Sequence, residues 1–399
     1  MGYIEKEYRF IFLTMLMNFI LFGISFTIIG ATLPRIIRSF DWNYIETGLV
    51  LSAGSIGYFV SSFVSGLALQ RLGPKRVIVT GLMLQSVGLM LFAINPNVLA
   101  NLILCLLIGI GQGGTEVVVN FSVVRIERAG KSQLMNLMHA AFSVGAVAGP
   151  FADVILMKTG LAWQTIYRIM AVVAIIMAFT SGMLKLSRLH REEDKPENRS
   201  GVGHLLRSPL LILSFLILLV YVGSELGVSN WISEYYVKYF NMSDRVGSIM
   251  VSVFWTGLLI GRLGISIFYR GTRQGIVALV LALICTLSLF IAVLTNVPLV
   301  ASLGFFCAGL GYSAIYPLTM AIVGTHFKYN QGAAVGFAAT GGGVGSFVFP
   351  FIMAAISNVL GIHKGFFFYM GLNIFMVFLI LAVIWQTQKL QANETVLET

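Results

Sequence analysis

Apolar runs of membrane-crossing length recur almost without pause from Tyr8 to Gln386 of this 399-residue chain. A helix rises 1.5 Å per residue, so about 20 consecutive apolar residues cover the hydrocarbon of a bilayer. Twelve runs meet or approach that length, at 10–34, 44–69, 75–95, 98–125, 133–158, 163–187, 209–238, 244–269, 273–295, 298–327, 332–358 and 363–386. Each run with its loop occupies about 33 residues, too little to spare a soluble domain of about 100. Composition agrees: the chain is 57% hydrophobic and 11% charged, with mean hydropathy +0.89, whereas soluble domains are about 25% charged. An all-α membrane protein follows, with anything functional lying between helices or in short loops.

The formal net charge of +10 could suggest nucleic acid, but in a membrane protein basic residues report orientation through the positive-inside rule. With a cytoplasmic N-terminus, nineteen of the 26 Lys and Arg fall on the cytoplasmic side. They include Arg71, Lys75, Arg76, Arg125, Arg128, Lys131 and the cluster from Lys185 to Arg207; seven, such as Arg35, Lys158 and Lys364, fall outside. Both termini are therefore expected in the cytoplasm, in the inner (cytoplasmic) membrane, with lipid as partner and no nucleic acid. The first run is too long for a signal-peptide core and no A-x-A site follows it, so it reads as a span. Cys105, Cys285 and Cys307 lie inside apolar runs without CxxC spacing, which indicates neither disulfide nor metal site. No HExxH, nucleophile arrangement or paired-Asp motif is present, so no catalytic residue, enzyme activity or cofactor is expected. A monomer is expected.

Between Leu186 and Pro209 the chain turns polar, and 188–208 reads as a cytoplasmic linker between an N-terminal six-helix bundle, 1–187, and a C-terminal one, 209–399. A shift of 200 residues brings Gly23 onto Gly223, Gly57 onto Gly257, Gly109 and Gly111 onto Gly309 and Gly311, and Gly145, Pro150 and Phe151 onto Gly345, Pro350 and Phe351. One constant shift across four helices signals an internal repeat. Six helices per half make the repeats parallel, with a pseudo-two-fold axis along the membrane normal. The runs GIGQGG at 109–114 and TGGGVG at 340–345 read as close-contact faces, because small residues let helices approach in lipid. A phosphate loop fits poorly, since neither run follows a strand.

An ionisable side chain at helix centre costs about 2.5–3.5 kcal/mol on insertion scales, which makes it a functional hypothesis. Glu116 qualifies, in a polar stripe with Gln112 and Asn120 at i, i+4 and i+8. Glu225 also qualifies, with Ser229 one turn on. A carboxyl in a partly dry site can carry a proton and release it on the other side; a glutamate hydrogen-bonded between helices is the competing reading. His139 lies near the start of the fifth run, as a solute or proton contact or a structural histidine near the cytoplasmic boundary. Asp153 is expected in a water-exposed role at the outer part of the same run. Tyr58, Asn230, Trp231, Tyr312 and Tyr316 could stack on and hydrogen-bond a sugar ring, against the alternative of core packing. Arg262 is expected to cap or salt-bridge the cytoplasmic ends of neighbouring helices in a gating role.

The stretch Gly66-Leu-Ala-Leu-Gln-Arg-Leu-Gly-Pro-Lys-Arg76 resembles the cytoplasmic loop signature of the major facilitator superfamily, G-x-L-A-D-R-x-G-R-K. Gly66, Arg71, Gly73 and Lys75 fit, while Gln70 replaces the acidic residue. Gly145 to Pro150 resembles the fifth-helix motif of that superfamily. Within it, Gly111-Gln-Gly-Gly-Thr-Glu-Val-Val-Val-Asn-Phe121 resembles the fourth helix of the fucose-galactose-glucose:proton symporters and their sodium-glucose relatives. Tyr221-Val-Gly-Ser-Glu225 with Trp231 resembles the seventh helix of that group, and His139 stands near its sugar-binding amide. The first-helix Asp of the fucose-type carrier is absent; Gly30 stands there. The resemblance implies alternating-access transport of a sugar or similar small polar solute. Glu116 would carry a proton (sodium is the alternative), Asn120 would meet a hydroxyl, Glu225 would supply a second charge, and Arg71 and Lys75 would gate. An exporter of drugs or metabolites, or a non-transporting nutrient sensor, are the alternatives.

Overall fold

A computed structural model describes residues 5–127, 133–189, 208–269, 273–327 and 331–398, and structural statements concern these. The long helices are α1 (Arg9–Phe40), α2 (Tyr44–Leu91), α3 (Val98–Ile126), α4 (Gln133–Met157), α5 (Thr165–Met183) and α6 (Pro209–Lys238). They continue with α7 (Asp244–Phe268), α8 (Gln274–Leu294), α9 (Pro298–Tyr312), α10 (Ile315–His326), α11 (Gln331–Leu360) and α12 (Ile362–Glu398). Eleven helical stretches among the described residues are long and apolar enough to cross a membrane. The chain is an all-α integral membrane protein.

Two breaks differ from the simple succession of spans. Helix α2 holds two sequence-predicted spans, joined across a kink at Gly73 (φ 77°, ψ 161°). That conformation is open to glycine and strained for a side-chain-bearing residue. Pro74 follows, in the loop signature. The tenth predicted span is divided into α9 and α10, with Ser313 and Ala314 between them. Pro317 is the reason: it has no N–H to offer, and its ring collides with the carbonyl four residues back, that of Ser313.

By packing, the described chain forms two compact units. The first comprises 1–195 together with 230–255, and the second comprises 196–229 and 256–399. The segment 230–255, the end of α6 and the start of α7, thus packs with the N-terminal helices.

In the first unit α3 lies between the two arms of α2. A Cβ added at Gly109 would stand 1.9 Å from the carbonyl oxygen of Gly54, and one at Gly113 2.5 Å from that of Tyr58, both on the first arm. A Cβ at Gly111 would stand 2.4 Å from the Gly81 carbonyl on the second arm. Lipid supplies little hydrophobic force between helices, so this backbone contact is itself a source of cohesion. Around it Phe12, Met15, Phe19, Leu82, Val118, Val119, Val123 and Met138 form a buried core.

The second unit repeats these contacts 200 residues on. Gly57 faces Leu106 and Ile110, and Gly257 faces Phe306 and Leu310. Gly111 faces Gly81 and Gln85, and Gly311 faces Leu281 and Cys285. Gly341 and Gly345 on α11 press on Phe215 and Leu219 of α6. The turns repeat too. Asp41 and Asn241, also 200 apart, both take left-handed backbone (φ 53° and 55°), which short polar side chains tolerate.

Candidate functional site

In the first unit the predicted polar stripe of α3 is present. The Glu116 carboxyl accepts a short hydrogen bond from the Tyr58 hydroxyl, and Asn120 hydrogen-bonds it from one turn further. Gln112 is buried, and Glu116 and Asn120 are half-buried. Both partners of Glu116 are neutral. The site therefore holds a carboxyl on a membrane-crossing helix stabilised by hydrogen bonds rather than by an ion pair.

Tyr58 also belongs to an aromatic cluster. Its ring stacks on Phe22 at 6.0 Å; Phe22 meets Phe142 edge-on at 5.0 Å, and Phe142 meets Phe26 at 5.6 Å and Trp255 at 5.7 Å. Sequence reasoning did not find Phe22, Phe26, Phe142 or Trp255, because phenylalanines in apolar spans give no signal apart from packing. His139 is exposed at the start of α4, its ring edge-on to Phe19 at 6.0 Å.

Asp153 is a correction. It is fully buried, not water-exposed, and pairs with Arg35 of α1. Ser248 of α7 also donates to it, at 3.0 Å. A buried charge needs such a partner, and the partner lies 118 residues away. Glu234 was missed altogether. It is fully buried and accepts a hydrogen bond from Tyr44 at 3.0 Å. Its place four residues from the end of α6 reads in sequence as an interfacial acid. Trp231 is completely buried, edge-on to Tyr44 at 5.5 Å, and Asn230 beside it is half-buried.

In the second unit Glu225 on α6 is buried and lies 3.7 Å from Arg262 of α7. Arg262 also donates from Nε to the Ser313 carbonyl at 3.3 Å, the residue that closes α9. That carbonyl lies at the break inside the tenth predicted span, not at the cytoplasmic end of a span where the sequence placed the contact, and Arg262 pairs with Glu225 besides. Tyr221 hydrogen-bonds the same carboxyl. Glu116 and Glu225 differ accordingly: one has neutral partners, the other faces a cation. Ser229 is buried, and Tyr316 is half-buried with its ring 6.3 Å from Tyr221. Tyr312 is buried and exchanges hydrogen bonds of 2.9 and 2.7 Å with Asn373, which also accepts from the Cys285 thiol. Tyr312 is therefore part of an internal polar network. Arg71 and Lys75 are exposed on either side of the Gly73 kink. No group of three or more His, Cys, Asp or Glu among the described residues could hold a metal ion.

Known proteins resemble the chain over most of its length. Protein TsgA homolog of Yersinia enterocolitica is 23% identical over 354 residues, covering 87% of this chain and 88% of that protein. Its counterpart in Yersinia pestis is likewise 23% identical over 355 residues, with 87% and 88% covered. Among solved structures, the nucleoside transporter NupG superposes with TM-score 0.79 at 13% identity, over 94% of this chain and 99% of that one. The transporter FucP, in its outward conformation, gives TM-score 0.62 at 20% identity over 95% and 99%. A D-xylose-proton symporter gives 0.69 at 15% over 94% and 97%. The model of the Major Facilitator Superfamily matches residues 15–328 and 271–398. With its membrane-crossing helices and glycine-packed repeat, this chain belongs to the major facilitator superfamily, and its activity is secondary active transport of a small-molecule solute rather than catalysis.

Proposed function

We propose that this transporter moves a sugar or a similar polyhydroxylated solute by symport with protons, and that Glu116 is the coupling residue. The observation that carries the reading is the Glu116 carboxyl held by Tyr58 and Asn120 on a membrane-crossing helix. Two neutral donors can serve a carboxylate, and a protonated carboxyl can serve as donor in turn. A group so placed can carry a proton without breaking an ion pair. The aromatic cluster continuous with Tyr58 supplies ring faces against which the apolar face of a sugar packs, while Gln112 and Asn120 offer amides to its hydroxyls.

The likeness in fold to FucP and to a D-xylose-proton symporter is in keeping with a sugar. The likeness to the nucleoside transporter NupG extends the class to solutes that carry a sugar ring. Glu225, paired with Arg262, acts as the second charge and tunes the second unit. His139, Asn230 and Trp231 are the further contacts proposed in the first unit and Ser229 and Tyr316 those proposed in the second, and Arg71, Lys75 and Arg262 gate. The protein works as a monomer in the inner membrane, with both termini in the cytoplasm.

The test is uptake of radiolabelled hexoses, pentoses and nucleosides into proteoliposomes with an imposed proton gradient, with and without sodium. The native protein accumulates one of them when the gradient is applied. Glu116→Gln retains equilibrative counterflow and loses accumulation. Gradient-driven accumulation at the native level in that variant overturns the assignment.

A further inference from the structure

Pro317 of α10 has no N–H to give to the Ser313 carbonyl, four residues back. Arg262 of α7 takes that carbonyl instead, donating from Nε at 3.3 Å. The guanidinium is thereby fixed on a membrane-crossing helix, where a charge needs a partner. The partner is Glu225 of α6, whose Oε1 stands 3.7 Å from Arg262 Nη2. At that distance the two charges attract without sharing a hydrogen bond. All of these residues belong to the second unit.

The pair already accommodates one hydroxyl. That of Tyr221 accepts from Arg262 and donates to Glu225, so a group with one acceptor and one donor answers both charges at once. Glu225 Oε1 is nevertheless buried without a hydrogen bond, and so is the Ser313 hydroxyl. Both residues are partners of the same guanidinium, and each keeps one buried oxygen unserved. A buried acceptor without a donor is costly, and a charged one more so.

The chemistry that would serve Oε1 is narrow. An oxygen about 2.8 Å from each atom, an ordinary hydrogen-bond length, fits astride a nitrogen and an oxygen that are 3.7 Å apart. It must accept on one side and donate on the other. A carboxylate or ketone only accepts and an ammonium only donates, whereas a hydroxyl does both. The side chain of Arg262 is 27% exposed and that of Glu225 7%, so an incoming group meets the guanidinium first. Tyr221, Glu225 and Ser229 recur at i, i+4 and i+8 on one face of α6, and Tyr316 lies with its ring 6.3 Å from that of Tyr221. Ser229 and Tyr316 are the solute contacts proposed for this unit.

We propose that Arg262 and Glu225 clamp one hydroxyl of the solute, which accepts from the guanidinium and donates to Glu225 Oε1, and that the pair thereby sets specificity. The inference rests on the reading that the solute is polyhydroxylated. It gives the pair a part in recognition beyond charge balance and gating, and it asks nothing of Glu116. When the solute leaves, the ion pair remains, so neither charge is stranded in the membrane.

The test measures thermal stabilisation of the purified full-length protein by D-glucose, D-galactose, D-xylose, L-fucose and uridine, since binding to the native state raises the melting temperature. The probe that binds most tightly is then replaced in turn by its monodeoxy and monofluoro analogues. At one position both analogues are expected to bind about tenfold to a hundredfold more weakly, the worth of a hydrogen bond to a charged group. The deoxy compound lacks both functions there, and fluorine cannot donate. Glu225→Gln alone would strand Arg262, so the variant combines it with Arg262→Gln, removing both charges together. In that double variant the penalty at the one position shrinks while penalties at the other positions stay as in the native protein; general loosening of the unit would move all positions alike. Where the double variant does not fold or bind, the native series alone decides. Native binding that tolerates every deoxy and fluoro analogue, or a penalty that survives unchanged in the double variant, overturns the clamp and leaves the polyhydroxylated solute standing. Stabilisation by none of these probes overturns that reading and the clamp with it.

Discussion

Arg35 and Asp153, though distant in sequence, are an ion pair whose side chains are 10% and 0% exposed, and each answers for the other's charge. Removing one member of a buried pair leaves an uncompensated charge, at a cost of about 3–5 kcal/mol. Asp153→Asn is therefore expected to lower the melting temperature in detergent sharply. Arg35→Met with Asp153→Leu is expected to recover most of that loss, and thermal-shift measurement on the three proteins checks the order. Tyr58→Phe belongs to the same scale. It deletes the hydroxyl that bonds Glu116 and keeps the ring against Phe22. Proton-driven accumulation is expected to fall several-fold with counterflow nearly intact; an equal fall in both would point to lost packing instead. Glu116 was legible in the sequence because an acid within an apolar run is conspicuous by itself. Its pairing with Tyr58 and the pairs Arg35–Asp153 and Tyr44–Glu234 were not, because each joins residues that only tertiary packing brings together.

At the scale of elements, the glycines separate into those pinned by a neighbouring backbone and those that are free. A Cβ at Gly57 would stand 2.3 Å from the Leu106 carbonyl oxygen, whereas one at Gly66, on the same helix, meets nothing within 4 Å. Gly57→Ala must push α2 away from α3, a cost of about 1–3 kcal/mol or more. Gly66→Ala is expected to be neutral or slightly stabilising, since alanine favours a helix by about 1 kcal/mol over glycine. Comparing the melting temperatures of the two variants tests whether close helix contact, and not glycine content, holds α2 to α3. Most helices could be read from apolar run length alone. The junctions could not: nothing in run length says that α2 continues across Gly73 or that α9 ends before α10. Those depend on single residues, Gly73 with its φ of 77° and Pro317 with its missing donor.

For the whole molecule, the repeat and the charge asymmetry lead to separate expectations. Because the contacts of Gly257 reproduce those of Gly57 at a shift of 200 residues, Gly257→Ala is expected to destabilise about as much as Gly57→Ala. A much smaller effect would mean that the second unit can relax where the first cannot. Orientation is argued from charge instead. The twelve spans read from the sequence would return the chain to the side on which it began, and loops rich in Lys and Arg stay in the cytoplasm because they are hard to translocate. On that reading nineteen of 26 basic residues fall on the side of the termini, including Arg71, Lys75 and Arg76 between the arms of α2, while the turn after α4 carries Lys158. Green fluorescent protein fused to the C-terminus is therefore expected to fluoresce, and alkaline phosphatase fused after Leu161 to be active, whereas phosphatase fused after Glu127 is expected to be inactive. The opposite pattern would invert the proposed orientation and put the α1–α2 turn on the cytoplasmic side. The Arg35–Asp153 and Tyr44–Glu234 contacts would remain as they are, because they depend on packing within the first unit and not on which side of the membrane it faces.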